Sequence, residues 1–341
     1  MDTQIVSGGL NSPTQQGMEQ SAYHSLAIVV LEVLLSDHSH PKRGKKASHI
    51  IWATENYATL GSEYAPDAPI QISSITGENE SLIRPRVLKS KEEQQSRSRG
   101  KGEVFTPSWI CNSQNNLIDN EWFGRPGVFN EEVEKGWISN QKPIQFPTVD
   151  GKLWTDYVLD IRLEITCGEA PYLISCYDTI TGNTIPVQER IGLLDRKLRV
   201  VSENTDTAAE WYEWATKAYQ SIYAFEWQGD NLLLARENAL YTFCDHHSAR
   251  FGTAPTEEQL LQIAEIISWN FWQMDGLKGV IPDSCHDDIE EIPSLFGEGE
   301  QIITHCPGCT TGDIRRHNGV YAKIKDWTTG KAIRYIDLIK K

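Results

Sequence analysis

In the second half of the chain, three segments carry apolar and aromatic residues at helical spacing. Thr207–Gln220, Gly229–Ala249 and Thr256–Trp269 each carry such residues three or four positions apart, which is typical of helices that bury one face. Thr256 stands at the start of the third segment and is a candidate N-cap. The pattern therefore predicts three helices here, and the shorter apolar stretch Leu26–Leu35 predicts a docking helix.

Shorter apolar runs alternate with these helices. Ile161–Ile165 and Ser221–Glu226 contain β-branched or aromatic residues and predict strands. Because strands that alternate with helices are typical of a parallel sheet, we expect an α/β domain with a largely parallel sheet over residues 102–282. Further along, Val320–Ile324 and Ala332–Ile339 predict a hairpin.

Changes in composition divide the chain into four predicted regions. Residues 1–47, of which the first 25 are rich in Gln, Ser and Gly, predict a partly disordered N-terminal extension, and residues 48–101 a lead-in segment with a basic linker. The α/β domain would occupy residues 102–282, and a small Cys/His module with the hairpin would occupy 283–341. A length of 341 residues suits about two domains.

The chain is acidic overall but has two basic segments. Its 32 Lys and Arg face 47 Asp and Glu, a formal net charge of −15, which excludes simple attraction of the whole molecule to nucleic acid. Yet Arg84–Lys101 holds seven basic and two acidic residues, and residues 311–341 hold eight and three. Both segments are candidate contacts for the phosphates of duplex DNA. A solvated linker or an ordinary charged surface remains the alternative for each.

Apolar runs and cysteine usage indicate the compartment. No apolar stretch approaches the ~20 residues that cross a bilayer, so no membrane partner is expected. The seven cysteines are an odd number, with one close pair. This usage favours the reducing cytoplasm over a disulfide framework.

The close cysteine pair predicts a structural zinc site. Cys306 and Cys309 have the two-residue spacing, and the Pro-Gly between them makes the tight turn that lets both sulfurs face one ion. Two more ligands are needed for a tetrahedral site, and the candidates in the sequence are Cys285, His286, His305 and His317. We favour Cys285 and His317, with unliganded thiols as the alternative.

One segment has the pattern of a nucleotide-cofactor turn. Glu164 lies near a strand end and is followed by the small-residue turn Thr166–Ala170. Within it, Gly168 would let the backbone approach a ligand closely. An ordinary strand-to-helix turn is the alternative interpretation.

Two later acids extend this pattern. Glu226 ends the next strand, a position at which an acid accepts hydrogen bonds from ribose hydroxyls. Trp227 follows it and could stack on a purine, or lie in the core. Asp275 precedes a glycine and could accept from an adenine amino group, or simply end a helix.

These motifs occur in the order found in a known family. Gly102–Pro107, followed by Trp109, Ile110 and Asn112, resembles the entry motif of adenine-specific DNA methyltransferases of the gamma arrangement. The stretch from residue 103 to residue 281 is similar to small bacterial proteins usually called restriction endonuclease subunit M. The strings that carry this similarity are Ile191–Lys197, Gln228–Leu232 and Trp272–Lys278.

The resemblance implies a fold, a cofactor and partners. It implies a Rossmann-like, methyltransferase-like sheet with flanking helices that binds S-adenosylmethionine. Duplex DNA would be the substrate, and a restriction or specificity subunit a further partner. The expected cofactor contacts at matching positions are Thr106, Pro107, Glu164, Thr166, Cys167, Gly168, Glu169, Ala170, Glu226, Trp227 and Asp275.

The catalytic signature of this family is incomplete here. It consists of Asn, Asp or Ser, then Pro-Pro and an aromatic residue, and this chain contains no Pro-Pro pair. The nearest counterpart is Asp326-Trp327, where Asp326 would polarise the target amino group and Trp327 would stack on the flipped base. The alternative is a turn that packs Trp327 on the hairpin.

Three functions follow from these observations. The first is a DNA adenine methyltransferase or the modification subunit of a restriction or phage-defence system. The second is a non-catalytic methyltransferase-fold subunit that binds DNA or acts as a scaffold with a partner chain. A nuclease is the weakest, because Pro282-Asp283 lacks the acidic and lysine residues that a cutting metal site needs on the next strand.

Overall fold

The computed structural model describes residues 28–40, 48–101, 106–147, 151–292 and 300–339. Residues 1–27 and 41–47 of the predicted N-terminal extension lie outside these ranges, as do residues 102–105 of the predicted entry motif.

Helices occupy much of the described chain. The α-helices are α1 (Ile28–Leu35), α2 (Lys91–Lys101), α3 (Ser108–Phe123), α4 (Trp154–Leu159), α5 (Leu193–Asn204), α6 (Ala208–Gln220), α7 (Gly229–Phe251), α8 (Glu257–Asn270) and α9 (Pro307–Thr311). Short 3-10 helices cover Glu55–Leu60, Ser62–Tyr64, Ile72–Ser74, Gly77–Asn79, Arg86–Leu88, Val187–Glu189 and Tyr335–Leu338.

The strands are short. They are β1 (Ser36–Asp37), β2 (Ser48–His49), β3 (Asn130–Val133), β4 (Gly136–Ser139), β5 (Arg162–Ile165), β6 (Ile222–Glu226), β7 (Phe271–Gln273), β8 (Asp288–Ile292), β9 (Glu300–Thr304), β10 (Lys323–Asp326) and β11 (Lys331–Arg334). The pairs β1-β2, β3-β4, β8-β9 and β10-β11 are antiparallel, and β5-β6-β7 form a three-stranded sheet.

The three-stranded sheet is parallel and central to the fold. Glu164 of β5 lies beside Ala224 of β6, which in turn lies beside Phe271 of β7. The helices α5 and α6 connect β5 to β6, and α7 and α8 connect β6 to β7. The predicted mixed α/β architecture, a small parallel sheet flanked by helices, is therefore confirmed.

The three predicted helices of the second half are also present. Thr207 caps α6, where its Oγ1 accepts from the N–H of Glu210 at 3.2 Å. Thr256 and Gln259 form a reciprocal capping box at the start of α8. Helix α7 is buried from Gly229 to His247, because the sheet and other helices surround it.

The first cofactor-like segment departs from its predicted strand–turn–helix form. After β5 the chain forms turns, and the next α-helix begins only at Leu193. Thr166, Gly168 and Ala170 have positive φ angles of 47°, 56° and 61°, and Pro171 lacks an N–H. Alternate left-handed residues followed by proline cannot continue into a helix.

The C-terminal hairpin is shorter than predicted and covers one sheet face. Tyr335–Leu338 form a 3-10 helix, and Val320 instead accepts from the N–H of Ile281 at 2.8 Å. Ala322 and Ile324 pack against Phe225, Trp272 and Met274 in a small second core. The main core lies between the other sheet face and the helices.

None of the helices in the described ranges is long and apolar enough to cross a membrane.

Candidate functional site

A cavity of about 760 Å³ lies at the carboxyl ends of β5 and β6. In parallel sheets this edge is where ligands bind, and cavities of ~300–1,000 Å³ are typical of small-molecule sites. The turn after β5 and residues 226–228 form one side, and residues 53–55, Thr106 and Asp283 lie around it. The lining also includes Pro66, Glu164, Ile165, Pro171, Tyr172 and Asn231.

The turn after β5 is fixed to the end of β6. The N–H of Cys167 donates to the carbonyl of Phe225 at 2.9 Å, and the N–H of Gly168 donates to Glu226 Oε2 at 2.8 Å. Gly168 has a φ of 56°, which glycine adopts without strain. The turn therefore presents backbone at the cavity wall in a defined position.

Glu226 joins three parts of the site. Its Oε2 accepts from Gly168, and its Oε1 accepts from the N–H of Gln228 at 3.1 Å. Burial raises the pKa of Glu226, although these two hydrogen bonds act to lower it. A carboxylate oxygen accepts more than one hydrogen bond, so Glu226 can still receive a donor from the cavity.

Glu164 acts on the loop behind the turn. Its carboxylate accepts from the N–H groups of Leu173 at 3.0 Å and Tyr172 at 3.4 Å. Burial raises the pKa of Glu164 to about 8, against the lowering effect of these hydrogen bonds. At neutral pH the side chain is thus mostly protonated, and its contacts are those of a residue that holds a loop in place.

Several predicted cofactor residues line the cavity. These are Thr106, Glu164, Thr166, Cys167, Gly168, Glu226 and Trp227. The other four, Pro107, Glu169, Ala170 and Asp275, do not line it. Glu169 instead accepts from Tyr177 Oη at 2.6 Å, and Asp275 Oδ1 accepts from the N–H of Leu277 at 2.9 Å.

Residues from the first quarter of the chain form a wall that sequence reasoning missed. Trp227 Nε1 donates to the carbonyl of Ala53 at 2.8 Å, across 174 positions. A Cβ atom on Gly229 would lie 2.0 Å from the carbonyl oxygen of Ile51, so only glycine permits this approach. No local sequence pattern around residue 53 predicts a contact with a residue so distant in the chain.

Thr54 supplies an unused polar group at this wall. The residue is 2% exposed, and its Oγ1 has no hydrogen-bond partner among the residues that the structure describes. Thr54 also lines the cavity. Because a buried hydroxyl without a partner is costly, this atom fits a site that receives a polar ligand.

The predicted catalytic pair lies outside this lining. Trp327 Nε1 donates to Asn270 Oδ1 at 2.8 Å, and the ring packs against the main core. Asp326 accepts from the N–H of Thr328 at 2.9 Å and from Thr329 Oγ1 at 2.7 Å. Asp326 and Trp327 therefore have the contacts expected for a hairpin turn that packs its tryptophan, which is the alternative interpretation of this pair.

The basic segment Arg84–Lys101 is less available than its charge suggests. Lys89 and Arg97 are buried beside Asp230, with Arg97 Nη2 at 2.7 Å and Lys89 Nζ at 3.6 Å from Asp230 Oδ2. Arg84 pairs with Glu93 at 3.2 Å. The prediction of one continuous phosphate-contacting run is wrong for Lys89 and Arg97, because these two cations neutralise a buried acid.

The Cys/His residues form a compact cluster. The ligand atoms of Cys285, Cys306, Cys309 and His317 all lie within 4.8 Å of one another. His317 Nδ1 is 3.5, 3.6 and 3.7 Å from the sulfurs of Cys285, Cys306 and Cys309. Ordinary Zn–S and Zn–N bond lengths at tetrahedral angles give a separation of about 3.6 Å.

Local structure places these four ligands. Cys306 precedes α9, with Pro307 at its first position, and a Cβ on Gly308 would lie 2.5 Å from the His317 ring. The other two candidates point elsewhere: His305 pairs with Asp287, and His286 is exposed. The cluster consists of the cysteine pair and the two further ligands favoured from the sequence, Cys285 and His317. It could bind a structural metal such as zinc.

Comparisons of the chain with protein-family models, with curated proteins and with solved structures found no match.

Proposed function

We propose that this chain is an S-adenosylmethionine-dependent DNA adenine methyltransferase, or the modification subunit of a restriction or phage-defence system, acting in the cytoplasm. The observation that carries the proposal is the cavity at the carboxyl ends of two parallel strands. One side of the cavity is the turn after β5, in which the N–H of Gly168 donates to the buried acid Glu226.

The chemistry of the lining suits an adenosyl cofactor. Glu226 would accept from the ribose hydroxyls, and the indole of Trp227 lies at the same wall. The hydroxyls of Thr54 and Thr106 offer polar contacts for the amino-acid end. When bound, S-adenosylmethionine would supply the electrophilic methyl group.

We expect Glu226→Ala to weaken binding of S-adenosylmethionine by about 1–3 kcal/mol, because buried ribose donors would lose their acceptor. Isothermal titration calorimetry of the purified chain measures this. As the pH falls, Glu226 takes up a proton and loses the charge that attracts the ribose hydroxyls. Because burial raises the pKa of Glu226, binding should begin to weaken at a higher pH than it would with an exposed glutamate in this position.

Two further variants sharpen the titration. Glu131→Ala removes an exposed carboxylate on β3, outside the cavity lining, and should leave the affinity unchanged. Asp275→Asn tests the predicted adenine contact. Equal affinities for the wild type and Glu226→Ala would remove Glu226 from the cofactor site.

The reaction itself would need the target adenine to leave the duplex. In the proposed reaction Asp326 polarises the adenine amino group, Trp327 stacks on the base, and the nitrogen attacks the methyl group directly. Exposed basic side chains at the C-terminal end would contact phosphates; they are Arg315, Arg316, Lys331 and Arg334.

One observation favours the non-catalytic alternative. The Asp326 carboxylate is engaged in its own turn, and Trp327 is tied to Asn270. In that case the chain would bind cofactor and DNA as a scaffold, and a restriction or specificity subunit would be needed for modification.

We expect methyl transfer from labelled cofactor to mixed-sequence duplex DNA by the wild type, and its loss in Asp326→Ala. Asp337→Ala is the matched control, because Asp337 is an exposed acid of the same segment that pairs with Arg334. The assay is run with and without partner chains. Activity that survives in Asp326→Ala would exclude this residue from the mechanism, and cofactor binding without any transfer would favour the scaffold.

A further inference from the structure

Strand β5 leaves apolar residues exposed at the edge of the central sheet. Leu163 and Ile165 are 44% and 63% exposed, and Ile161 just before the strand is 68% exposed. The strands of parallel sheets are normally covered on both faces. An apolar edge strand without a cover is therefore an interaction surface by default.

The neighbouring strands show what is missing. On the same face, Phe225 of β6 and Trp272 of β7 are buried at 5% and 3% exposure beneath the C-terminal hairpin. Leu163 lies beside Tyr223 and Ile165 beside Phe225 in the sheet, yet the second core contains neither of them. The C-terminal hairpin therefore covers β6 and β7 on this face but leaves β5 uncovered.

The backbone of β5 is also open on its outer side. Arg162 donates its N–H to the carbonyl of Ser221, the residue before β6, at 3.0 Å, and alternate residues of a strand direct their backbone groups to opposite sides. The N–H and C=O of Leu163 consequently face away from β6. Within the described ranges β5 pairs with β6 alone.

We propose that a second copy of this chain occupies this edge, its β5 pairing antiparallel to the first around a two-fold axis at Leu163. The sequence Ile161-Arg-Leu-Glu-Ile165 is the reason. Read in the opposite direction, it again places apolar residues at the first, third and fifth positions. Such self-complementarity is what an isologous two-fold contact requires.

The polar residues of β5 lie on the opposite face of the strand and are already engaged. Arg162 pairs with Asp160, and the buried Glu164 accepts from the N–H groups of Leu173 and Tyr172. The contact between the two copies would therefore consist of the apolar side chains of Ile161, Leu163 and Ile165 and of the backbone hydrogen bonds of Leu163.

The first test is the mass of the purified chain in solution, by sedimentation or light scattering. We expect twice the 38.6 kDa of one chain for the wild type, and 38.6 kDa for Leu163→Lys. Leu117→Lys is the matched control, because Leu117 is also exposed, at 67%, but lies on α3. It should remain a dimer. A monomeric wild type, or a Leu163→Lys variant that remains dimeric and folded, would overturn the proposal.

The second test fixes the register and does not depend on a disruptive change. Residue 163 of each copy would form a hydrogen-bonded pair with Cα atoms about 5.5 Å apart, within the range that a disulfide spans. Leu163→Cys should therefore cross-link to itself on mild oxidation. A mixture of Ile161→Cys and Ile165→Cys chains should cross-link, but neither should alone.

Mass spectrometry of the linked peptides separates these products from any linkage of the native cysteines. A dimer that gives no linkage at residue 163 would use another surface and would overturn the proposal. Linkage of residue 163 to a different protein, or to residues 1–27 of the same chain, would replace the second copy with that occupant.

Discussion

Substituting Cys306 by serine should lower the zinc content of the purified chain from about one equivalent to well under half of one. Cys306 is buried, and its sulfur lies 3.6 Å from His317 Nδ1. Structural zinc contributes folding free energy directly, on the order of 10 kcal/mol in small zinc-finger peptides. We therefore also expect faster amide exchange around α9 and β10, with α8 unaffected.

Elemental analysis and hydrogen exchange measure these two effects. His286→Ala is the control, because His286 lies near the cluster but is exposed and pairs with Asp288. It should keep both the zinc and the protection. Wild-type protein purified without chelator that holds less than half an equivalent of zinc would contradict the metal assignment.

Asp230→Asn should destabilise the chain by about 3–5 kcal/mol, because the charges of Lys89 and Arg97 would stay buried without their carboxylate. All three side chains are nearly inaccessible, and Tyr57 Oη donates to the same oxygen at 2.8 Å. The free energy of unfolding in urea measures this loss. Glu93→Gln breaks the exposed pair with Arg84 and should cost under about 1 kcal/mol.

The same acid predicts a pH dependence. Burial alone would raise the pKa of Asp230, but Lys89 and Arg97 more than offset it and hold the pKa below its usual value. A carboxyl with a lowered pKa in the folded state contributes stability above about pH 4, and loses it as the pH falls through the folded value. The Asp230→Asn variant has no carboxyl at this position, so its stability should show no corresponding decrease as the pH falls. Equal acid sensitivity of the two proteins would argue against the buried pair.

Local signals explain what the sequence predicted well. Helices α6 and α8 have both the apolar spacing and a threonine cap, so their prediction rests on neighbouring residues alone. The Cys306–Cys309 spacing likewise predicts a candidate metal site by itself. Of the four further candidates near this pair in the sequence, the favoured Cys285 and His317 are the two that lie in the cluster.

Long-range contacts explain what the sequence could not predict. The burial of Lys89 and Arg97 depends on Asp230, more than 130 positions away, and a charge count treats such lysines and arginines as exposed. The segment after β5 has the composition of a strand-to-helix turn. Its left-handed residues, however, are set by contacts with β6, such as Cys167 to Phe225.

The contact between Trp227 and Ala53 has a consequence for how the chain folds. Closing a loop of 174 positions costs more entropy than closing the loop of 58 positions that links Gly168 to Glu226. Contacts so distant in sequence form late. The wall of residues 53–55 should therefore complete the cavity near the end of folding and open early on partial unfolding. A molecule bound in the cavity would slow that opening, since it binds only the closed form.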